Sequence, residues 1–259
     1  MNRQNNRNTA RPFGIVMDCL NTEEFIQQTI HWAREKSQPR LIVYLNAHCI
    51  NLYFRDDVYA RIVDAADCVY ADGQAVVWAS KFLGQPLPER VNAGDFLEAF
   101  CERCAEENLS IYFLGSAAGV AEKAAENLKK NCPAMKVAGC HSGYFKPDEA
   151  EALVQKIKET HPDILLIGMG VPLQEKFAAA RLSELAAPVI WCVGALFEYY
   201  AGVTPRAPRW MRTCGLEWLF RLIVEPRRMW RRYILGNAAF LIKTVRFRFG
   251  KPPSPKVKP

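Results

Sequence analysis

Short runs of apolar residues alternate with amphipathic stretches along most of this 259-residue chain. The amphipathic stretches carry apolar residues at helical spacing, whereas the short runs are apolar on both faces of an extended strand. Strands of that kind belong to a mostly parallel sheet that is covered by helices on both sides. We therefore predict an α/β, Rossmann-like fold. Its strands are expected at 14–17, 41–45, 68–70, 111–114, 136–138, 164–167 and 189–193, and its helices at 22–36, 52–65, 74–83, 95–107, 120–131, 148–160, 172–185 and 217–224.

The C-terminal part of the chain differs from the rest in its charge. Residues 205–259 contain 14 Lys or Arg and two Asp or Glu, whereas the other 204 residues contain 20 basic and 25 acidic side chains. The run 227–249 combines arginines at i,i+4 spacing with aromatic residues, which is typical of a helix on an anionic membrane surface. We expect four regions: a disordered N-terminus 1–12, a Rossmann-like domain 13–204, a membrane-associating helical appendage 205–249 and a disordered tail 250–259.

The sequence gives no sign of a secreted or membrane-spanning protein. No apolar run approaches the roughly 20 residues that cross a bilayer, and the polar N-terminus lacks the apolar segment of a secretory signal. Nine cysteines, an odd number spread over predicted helices and strands, indicate reduced thiols rather than a disulfide framework. We therefore expect a cytoplasmic protein.

Polar side chains follow two neighbouring predicted strands. Asp72 comes directly after the strand 68–70, and Asn46 comes directly after the strand 41–45. The carboxyl ends of parallel strands meet at the edge of the sheet where ligands bind. Asp72 could serve there as a general base, a ribose ligand or a helix N-cap. Arg90 adds a guanidinium 18 positions after Asp72.

Glycines follow two further strands. Gly115 could let a helix N-terminus approach a phosphate. Gly168, with Gln174 and Glu175 after it, is compatible either with close packing or with a nucleotide contact. Neither glycine has the spacing of the dinucleotide fingerprint or of the Walker loop.

Four arginines of the C-terminal region are candidates for binding an anion. They could form a solvated face, a nucleic-acid patch or a diphosphate clamp. The guanidinium fork donates two hydrogen bonds to phosphate oxygens, whereas nucleic-acid binding calls for a recognisable module that this chain lacks. The four are Arg206, Arg221, Arg228 and Arg231.

A series of short stretches connects these candidates to a known family. They lie at 70–73 (Tyr-Ala-Asp-Gly), 89–91 (Glu-Arg-Val), 113–115, 143–145, 168–175 (Gly-Met-Gly-Val-Pro-Leu-Gln-Glu), 193–194, 201–202, 206–208 and 215–221 (Gly-Leu-Glu-Trp-Leu-Phe-Arg). In their order and spacing they resemble the WecG/TagA/CpsF family of bacterial glycosyltransferases, which is glycosyltransferase family 26. The resemblance covers about residues 14–241.

The resemblance implies an inverting enzyme that needs no metal and no other cofactor. Such an enzyme transfers an N-acetylmannosamine-type sugar, or a related hexose or uronic acid, from a UDP-sugar to a polyprenyl-diphosphate-linked sugar. The product serves cell-surface polysaccharide or teichoic acid biosynthesis, at the inner face of the cell membrane. By motif, Asp72 matches the catalytic base, and Asn46, Arg90 and Gln174 match pocket residues. The appendage arginines that hold the diphosphate match Arg221, Arg228 and Arg231.

The expected partners are a UDP-sugar donor, a polyprenyl-diphosphate-linked acceptor and an anionic membrane surface, without nucleic acid. A homo-oligomer is left open. Two other functions compete with the transferase: a non-enzymatic scaffold that docks on membranes, and a nucleotide-dependent oxidoreductase. The oxidoreductase would require the G-x-G-x-x-G fingerprint, and it would have no use for the basic aromatic appendage.

Overall fold

The computed structural model describes residues 7–250. The strands in that part of the chain are β1 (Thr9–Ala10), β2 (Met17–Asp18), β3 (Arg40–Leu45), β4 (Cys68–Ala71), β5 (Ser110–Gly115), β6 (Lys136–His141), β7 (Ile164–Gly168) and β8 (Val189–Cys192). Six of them form one sheet in the order β4–β3–β8–β7–β5–β6, and every neighbouring pair is parallel. The predicted α/β, Rossmann-like fold is therefore confirmed.

Helices surround this sheet and continue beyond it. They are α1 (Thr22–Glu35), α2 (Ala47–Tyr53), α3 (Asp57–Ala65), α4 (Gln74–Phe82), α5 (Ala93–Glu106), α6 (Val120–Asn131), α7 (Ala150–Glu159), α8 (Leu173–Ala180), α9 (Leu196–Tyr200), α10 (Arg209–Thr213), α11 (Glu217–Val224), α12 (Pro226–Trp230) and α13 (Gly236–Phe249). A π-helical turn, Arg231–Leu235, joins α12 to α13, and short 3-10 turns lie at Pro12–Gly14 and Pro147–Glu149.

The core fixes the strands that later form the site. Strands β4, β7 and β8 are buried along their whole length, as an apolar strand covered on both faces must be. Trp191 of β8 is fully buried, and its indole N–H donates to the hydroxyl of Tyr70 on β4 at 3.0 Å. The rings of Phe25 and Phe100 pack on Trp191 from α1 and α5. These contacts hold the carboxyl ends of β3, β4 and β8 at one edge.

The predicted helix 52–65 is instead two helices, α2 and α3. The side chain of Asn46 accepts hydrogen bonds from the backbone N–H of His48 and Cys49, so α2 begins before position 52. The side chain of Asp56 then accepts from Val58 and Tyr59, both at 3.0 Å, and starts α3. Two capping side chains therefore divide a stretch whose apolar pattern is compatible with one helix.

The N-terminal segment also differs from its prediction. Of the segment 1–12 that is expected to be disordered, Thr9–Ala10 forms β1 and pairs with β2, and Arg7 forms an ion pair with the buried Asp18. The predicted strand 14–17 is reduced to Met17–Asp18, because the 3-10 turn Pro12–Gly14 precedes it. Residues 1–6 and 251–259, the rest of the two segments predicted to be disordered, lie outside the described residues.

The appendage packs back onto the sheet domain. Phe240 of α13 is buried, and its ring lies 5.5 Å from that of Phe13. Asn51 of α2 donates a side-chain hydrogen bond to the carbonyl of Gly236 at 2.7 Å. Between residues 7 and 250, no helix has both the length and the apolar character needed to cross a bilayer.

Candidate active site

A pocket of about 270 Å³ lies at the carboxyl edge of the sheet, between the sheet domain and the appendage. We call it the strand-end pocket. Asn46, Asp72 and Gly194, which follow β3, β4 and β8, form one wall. The appendage forms the opposite wall with Glu217, Trp218, Arg221, Arg228, Arg232 and Tyr233. The site is therefore complete only when both parts of the chain are in contact.

Asp72 is held at the end of β4 by its backbone and by a neighbouring amide. Its N–H donates to the carbonyl of Leu45 at 3.0 Å, which continues the pairing of β3 with β4. Its Oδ1 accepts a hydrogen bond from Asn92 Nδ2 at 2.9 Å. The N-cap of α4 is Gly73, and no side chain caps that helix. The N-cap role for Asp72 is therefore wrong, and its carboxyl faces the pocket.

Burial and charge shift the acidity of Asp72. Burial in the pocket, followed by the negative charge of Glu217, raises the pKa of its carboxyl to about 6. Arg90, a hydrogen bond from Asn46 and Arg232 act in the opposite direction but only partly offset the rise. A carboxyl with that pKa is mostly ionised at neutral pH and is a stronger base than an ordinary aspartate.

Arg90 connects the two walls of the pocket. Val91 N–H donates to the carbonyl of Ala71 at 2.9 Å, which places Arg90 beside the end of β4. The guanidinium donates to Glu217 Oε2 at 3.0 Å through Nη1 and to the carboxylate of Asp95 through Nη2. Its side chain is only 13% exposed, so the guanidinium is largely withdrawn from water.

The appendage brings a different set of arginines to the pocket than the sequence motif predicts. Arg221 and Arg228 line it, as expected, but Arg231 does not. Arg231 is exposed and stacks on the ring of Trp230, with 5.3 Å to the ring centroid. Arg232, which the sequence analysis did not select, lines the pocket instead. The π-helical turn begins at these residues, and such a turn changes which side chains share a helix face.

In the described part of the chain, two of these guanidinium groups lack a hydrogen-bond or ion-pair partner and lie only over aromatic rings. The Nε atoms of Arg221 and Arg232 are buried without a hydrogen bond, and within residues 7–250 neither side chain belongs to an ion pair. Arg221 instead lies over the ring of Tyr199, 5.5 Å from its centroid. Buried polar groups almost always have partners, so the two arginines are suited to an anion that enters the pocket.

His48, near the start of α2, is another residue that lines the pocket. Burial, together with the charges of Arg232 and Arg55, lowers the pKa of its imidazole to about 4. The ring is therefore neutral at physiological pH and can offer one donor and one acceptor nitrogen. Only the tertiary structure reveals this, because it buries the ring and brings the charge of Arg232 close to it.

Gly115 and Gly168 lie below the pocket rather than in its wall. A Cβ at Gly115 would lie 2.5 Å from the carbonyl carbon of Gly168, and a Cβ at Gly168 would lie 2.8 Å from the carbonyl oxygen of Gly194. Close packing of adjacent strand ends therefore accounts for both glycines. A phosphate contact at Gly115 has no support from the pocket lining.

Gln174 and Glu175 are fully buried and do not line the pocket. Gln174 Oε1 accepts from the backbone N–H of Gly194 at 2.9 Å, and its Nε2 donates to Glu175 Oε1 at 2.7 Å. Burial raises the pKa of the Glu175 carboxyl to about 7. Gln174 therefore supports the turn at Gly194 from beneath the pocket, and its expected contact with substrate stays a prediction.

Arg206 lies in a second, adjoining cavity. It donates to the carbonyl of Gly94 and to Asp95 Oδ1, the latter at 2.7 Å, and Arg212 pairs with the same carboxylate. Asp95 therefore gathers three arginines, since Arg90 reaches its other oxygen. This arrangement gives Arg206 a structural partner, and its expected substrate contact stays a prediction.

Within the described residues, no group of three His, Cys, Asp or Glu side chains is placed to hold a metal ion.

Comparisons with known proteins show which family this chain resembles. The family described as "Glycosyl transferase WecG/TagA/CpsF family" matches residues 10–253. A protein of Bacillus spizizenii is 31% identical over 176 residues, which cover 68% of this chain and 67% of the relative. A protein of Staphylococcus aureus is 27% identical over 227 residues, which cover 86% of this chain and 89% of the relative. Both are named N-acetylglucosaminyldiphosphoundecaprenol N-acetyl-beta-D-mannosaminyltransferase.

Proposed function

This chain belongs to the WecG/TagA/CpsF family of glycosyltransferases, and we propose that it transfers an N-acetylmannosamine-type sugar from UDP to polyprenyl-diphosphate-linked N-acetylglucosamine. The names of the two relatives suggest both sugars and the lipid diphosphate. The observation that carries the proposal is the strand-end pocket itself. It places a basic carboxylate, Asp72, opposite the unpaired guanidinium groups of Arg221 and Arg232. Neither the scaffold nor the oxidoreductase alternative fits a member of a glycosyltransferase family.

Asp72 is the general base in this proposal. The acceptor hydroxyl attacks the anomeric carbon of the donor sugar, and its proton passes to the Asp72 carboxylate. A base is most effective when its pKa lies near the working pH, and burial raises the pKa of Asp72 to about 6. One displacement of this kind inverts the anomeric centre.

The appendage arginines stabilise the leaving group. As the bond between the anomeric carbon and the diphosphate oxygen breaks, its electron pair stays on UDP, and negative charge develops on the diphosphate. Donors that are already aimed at developing charge lower the barrier most effectively. Arg221 and Arg232 supply such donors because no carboxylate within residues 7–250 holds them, and Arg228 adds a third guanidinium at the more exposed side.

A lipid-linked acceptor calls for a protein that works at the membrane surface. The appendage exposes more than half of the side chains of Ile223, Ile234, Leu241, Ile242 and Phe249. Exposed basic residues such as Arg246 and Arg248 accompany them. Apolar and basic residues together favour binding in the interface of an anionic membrane. We therefore propose that the protein lies peripherally on the cytoplasmic face of the membrane.

UDP release from a panel of UDP-sugars tests the proposal, with and without a polyprenyl-diphosphate-N-acetylglucosamine analogue. Release should be fastest with UDP-N-acetylmannosamine, should require the acceptor, and should be lost in Asp72→Asn. The exposed Asp148→Asn serves as the matched control. Acceptor-dependent release with another donor would correct the sugar. The absence of release with every donor would overturn the proposal.

A further inference from the structure

An ion pair crosses from the sheet domain to the appendage inside the strand-end pocket. Glu217 is the first residue of α11, and its Oε2 accepts a hydrogen bond from Arg90 Nη1 at 3.0 Å. Both side chains are largely buried, with exposures of 13% for Arg90 and 19% for Glu217. Glu217 lines the same pocket as Asp72 but has no part in the proposed transfer as either base or phosphate ligand. A buried carboxylate beside a basic carboxylate needs a physical reason.

The carboxylate partners of Arg90 oppose the effect of its charge on Asp72. Asp95 takes one side of the guanidinium and Glu217 takes the other. An uncompensated arginine close to a carboxylate stabilises its ionised form and weakens it as a base. With Glu217 in place, Arg90 is held between two carboxylates, and the negative charge of Glu217 also acts on Asp72.

We propose that Glu217 is a positioning residue that couples docking of the appendage to the strength of the base, by compensating Arg90 and placing a negative charge opposite Asp72. The predicted effect on turnover rests on the proposed function. The effect of Glu217 on the Asp72 carboxyl does not, because it can be measured in the protein without substrate. It assigns α11 a role beyond carrying Arg221, which lies one helical turn after Glu217 on the same face.

The charged and titratable groups around Asp72 support this role. Glu217 raises the pKa of Asp72, whereas Arg90 from the segment after α4 and Arg232 from the π-helical turn lower it. The pocket wall adds His48, which is neutral at physiological pH, and the cationic Arg221 and Arg228. Three tyrosines around Asp72 have pKa values that are raised by burial, so they are neutral at physiological pH. They are Tyr44 of β3, Tyr70 of β4 and Tyr199 of α9. Among these neighbours, Glu217 is the negative group, and it comes from the appendage.

In this arrangement, the basicity of Asp72 depends on whether the appendage is docked. When the appendage leaves the sheet domain, Asp72 loses both the wall that covers it and the charge of Glu217. Each loss lowers the pKa of Asp72 toward its ordinary value, because both burial and Glu217 act to raise it. The loss of Arg232 acts in the opposite direction, but its influence on Asp72 is the smallest of those named. A protein with an undocked appendage therefore lacks its phosphate-binding arginines and also holds a weaker base, which limits turnover to the docked state.

The test compares Glu217→Gln with the wild-type full chain. The glutamine amide oxygen can still accept from Arg90, so shape is kept while charge is removed. The apparent pKa of Asp72, read from carboxyl ¹³C chemical shifts and assigned with Asp72→Asn, should fall by roughly one unit. The acidic limb of kcat/KM against pH should move to lower pH by the same amount. Glu217→Asp should keep the wild-type limb, and Glu106→Gln, an exposed carboxylate of α5, is the charge-matched control.

The outcomes separate this inference from the proposed function. An unchanged Asp72 pKa in folded Glu217→Gln overturns the inference. A kcat/KM that falls at every pH while its acidic limb keeps the wild-type position overturns it as well. Glu217→Ala provides a second uncharged variant, and failure of both to fold would make Glu217 purely structural and overturn the inference as well. If wild type itself releases no UDP, the proposed function fails, while the titration still decides the electrostatic role.

Discussion

Gln174 Oε1 accepts a hydrogen bond from the backbone N–H of Gly194 at 2.9 Å, beneath the floor of the strand-end pocket. The contact joins the start of α8 to the turn after β8. It shows how a buried amide can shape the pocket without touching its contents, because Gly194 lines the pocket and Gln174 does not.

Replacing Gln174 by Ala should lower the free energy of unfolding by about 1–3 kcal/mol, because Gly194 N–H and Glu175 would lose buried partners. Urea denaturation measures the change. Gln155→Ala, at an exposed position of α7, should cost much less. Normal stability with a large loss of UDP affinity would instead indicate that Gln174 contacts the substrate.

Asp72→Asn should reduce turnover by roughly 10²–10⁴-fold, the usual contribution of a positioned general base. UDP affinity, measured by calorimetry, should stay within about threefold, because the arginines that bind the diphosphate are unchanged. Turnover close to that of wild type would remove Asp72 from the role of base.

The same substitution should stabilise the protein near neutral pH. The pKa of Asp72 is raised to about 6 in the folded state, so between the ordinary carboxyl pKa and about 6 the folded chain binds more protons than the unfolded chain. Stability from this group therefore falls as pH rises through that window. Asp72→Asn should gain roughly 1–3 kcal/mol over wild type at pH 7, and less at pH 4. Denaturation at the two pH values measures this, and an equal effect at both would contradict the raised pKa.

Arg232→Ala and Arg231→Ala form a matched pair of neighbouring charge deletions. Arg232 lines the pocket, so Arg232→Ala should lower kcat by roughly 10²-fold. Arg231 is exposed on Trp230, and its removal should leave turnover on a short-chain, water-soluble acceptor within about threefold. UDP-release kinetics measure both variants. A larger loss of kcat in Arg231→Ala than in Arg232→Ala would show that Arg231, the residue that the family motif predicts, binds the diphosphate.

Binding to anionic vesicles should depend on the basic residues at the end of α13. Arg246→Gln with Arg248→Gln should weaken sedimentation with vesicles that contain anionic lipid, and added salt should weaken wild-type binding, because charge attraction is screened beyond about 8 Å at physiological ionic strength. Lys129→Gln with Lys130→Gln removes the same charge from exposed positions of α6 and should have little effect. Salt-insensitive binding would point to apolar insertion alone.

The sequence by itself determined the fold and the position of Asp72 at the edge of the sheet. The apolar strands and the helical periodicity between them predict a parallel sheet, and Asp72 and Asn46 reach its ligand-binding edge because the chain places them directly after β4 and β3. These inferences succeed because they depend on local order along the chain, where burial imposes a regular period on apolar residues.

Only the tertiary structure decided which polar groups meet. The sequence does not indicate that Arg232 rather than Arg231 enters the pocket, that Gln174 turns inward, or that Arg90 pairs with Glu217 across 127 positions. The physical reason is that periodicity distinguishes apolar from polar faces but does not pair one polar side chain with another. That pairing follows from how the appendage packs on the sheet, and a single π-helical turn is enough to change it.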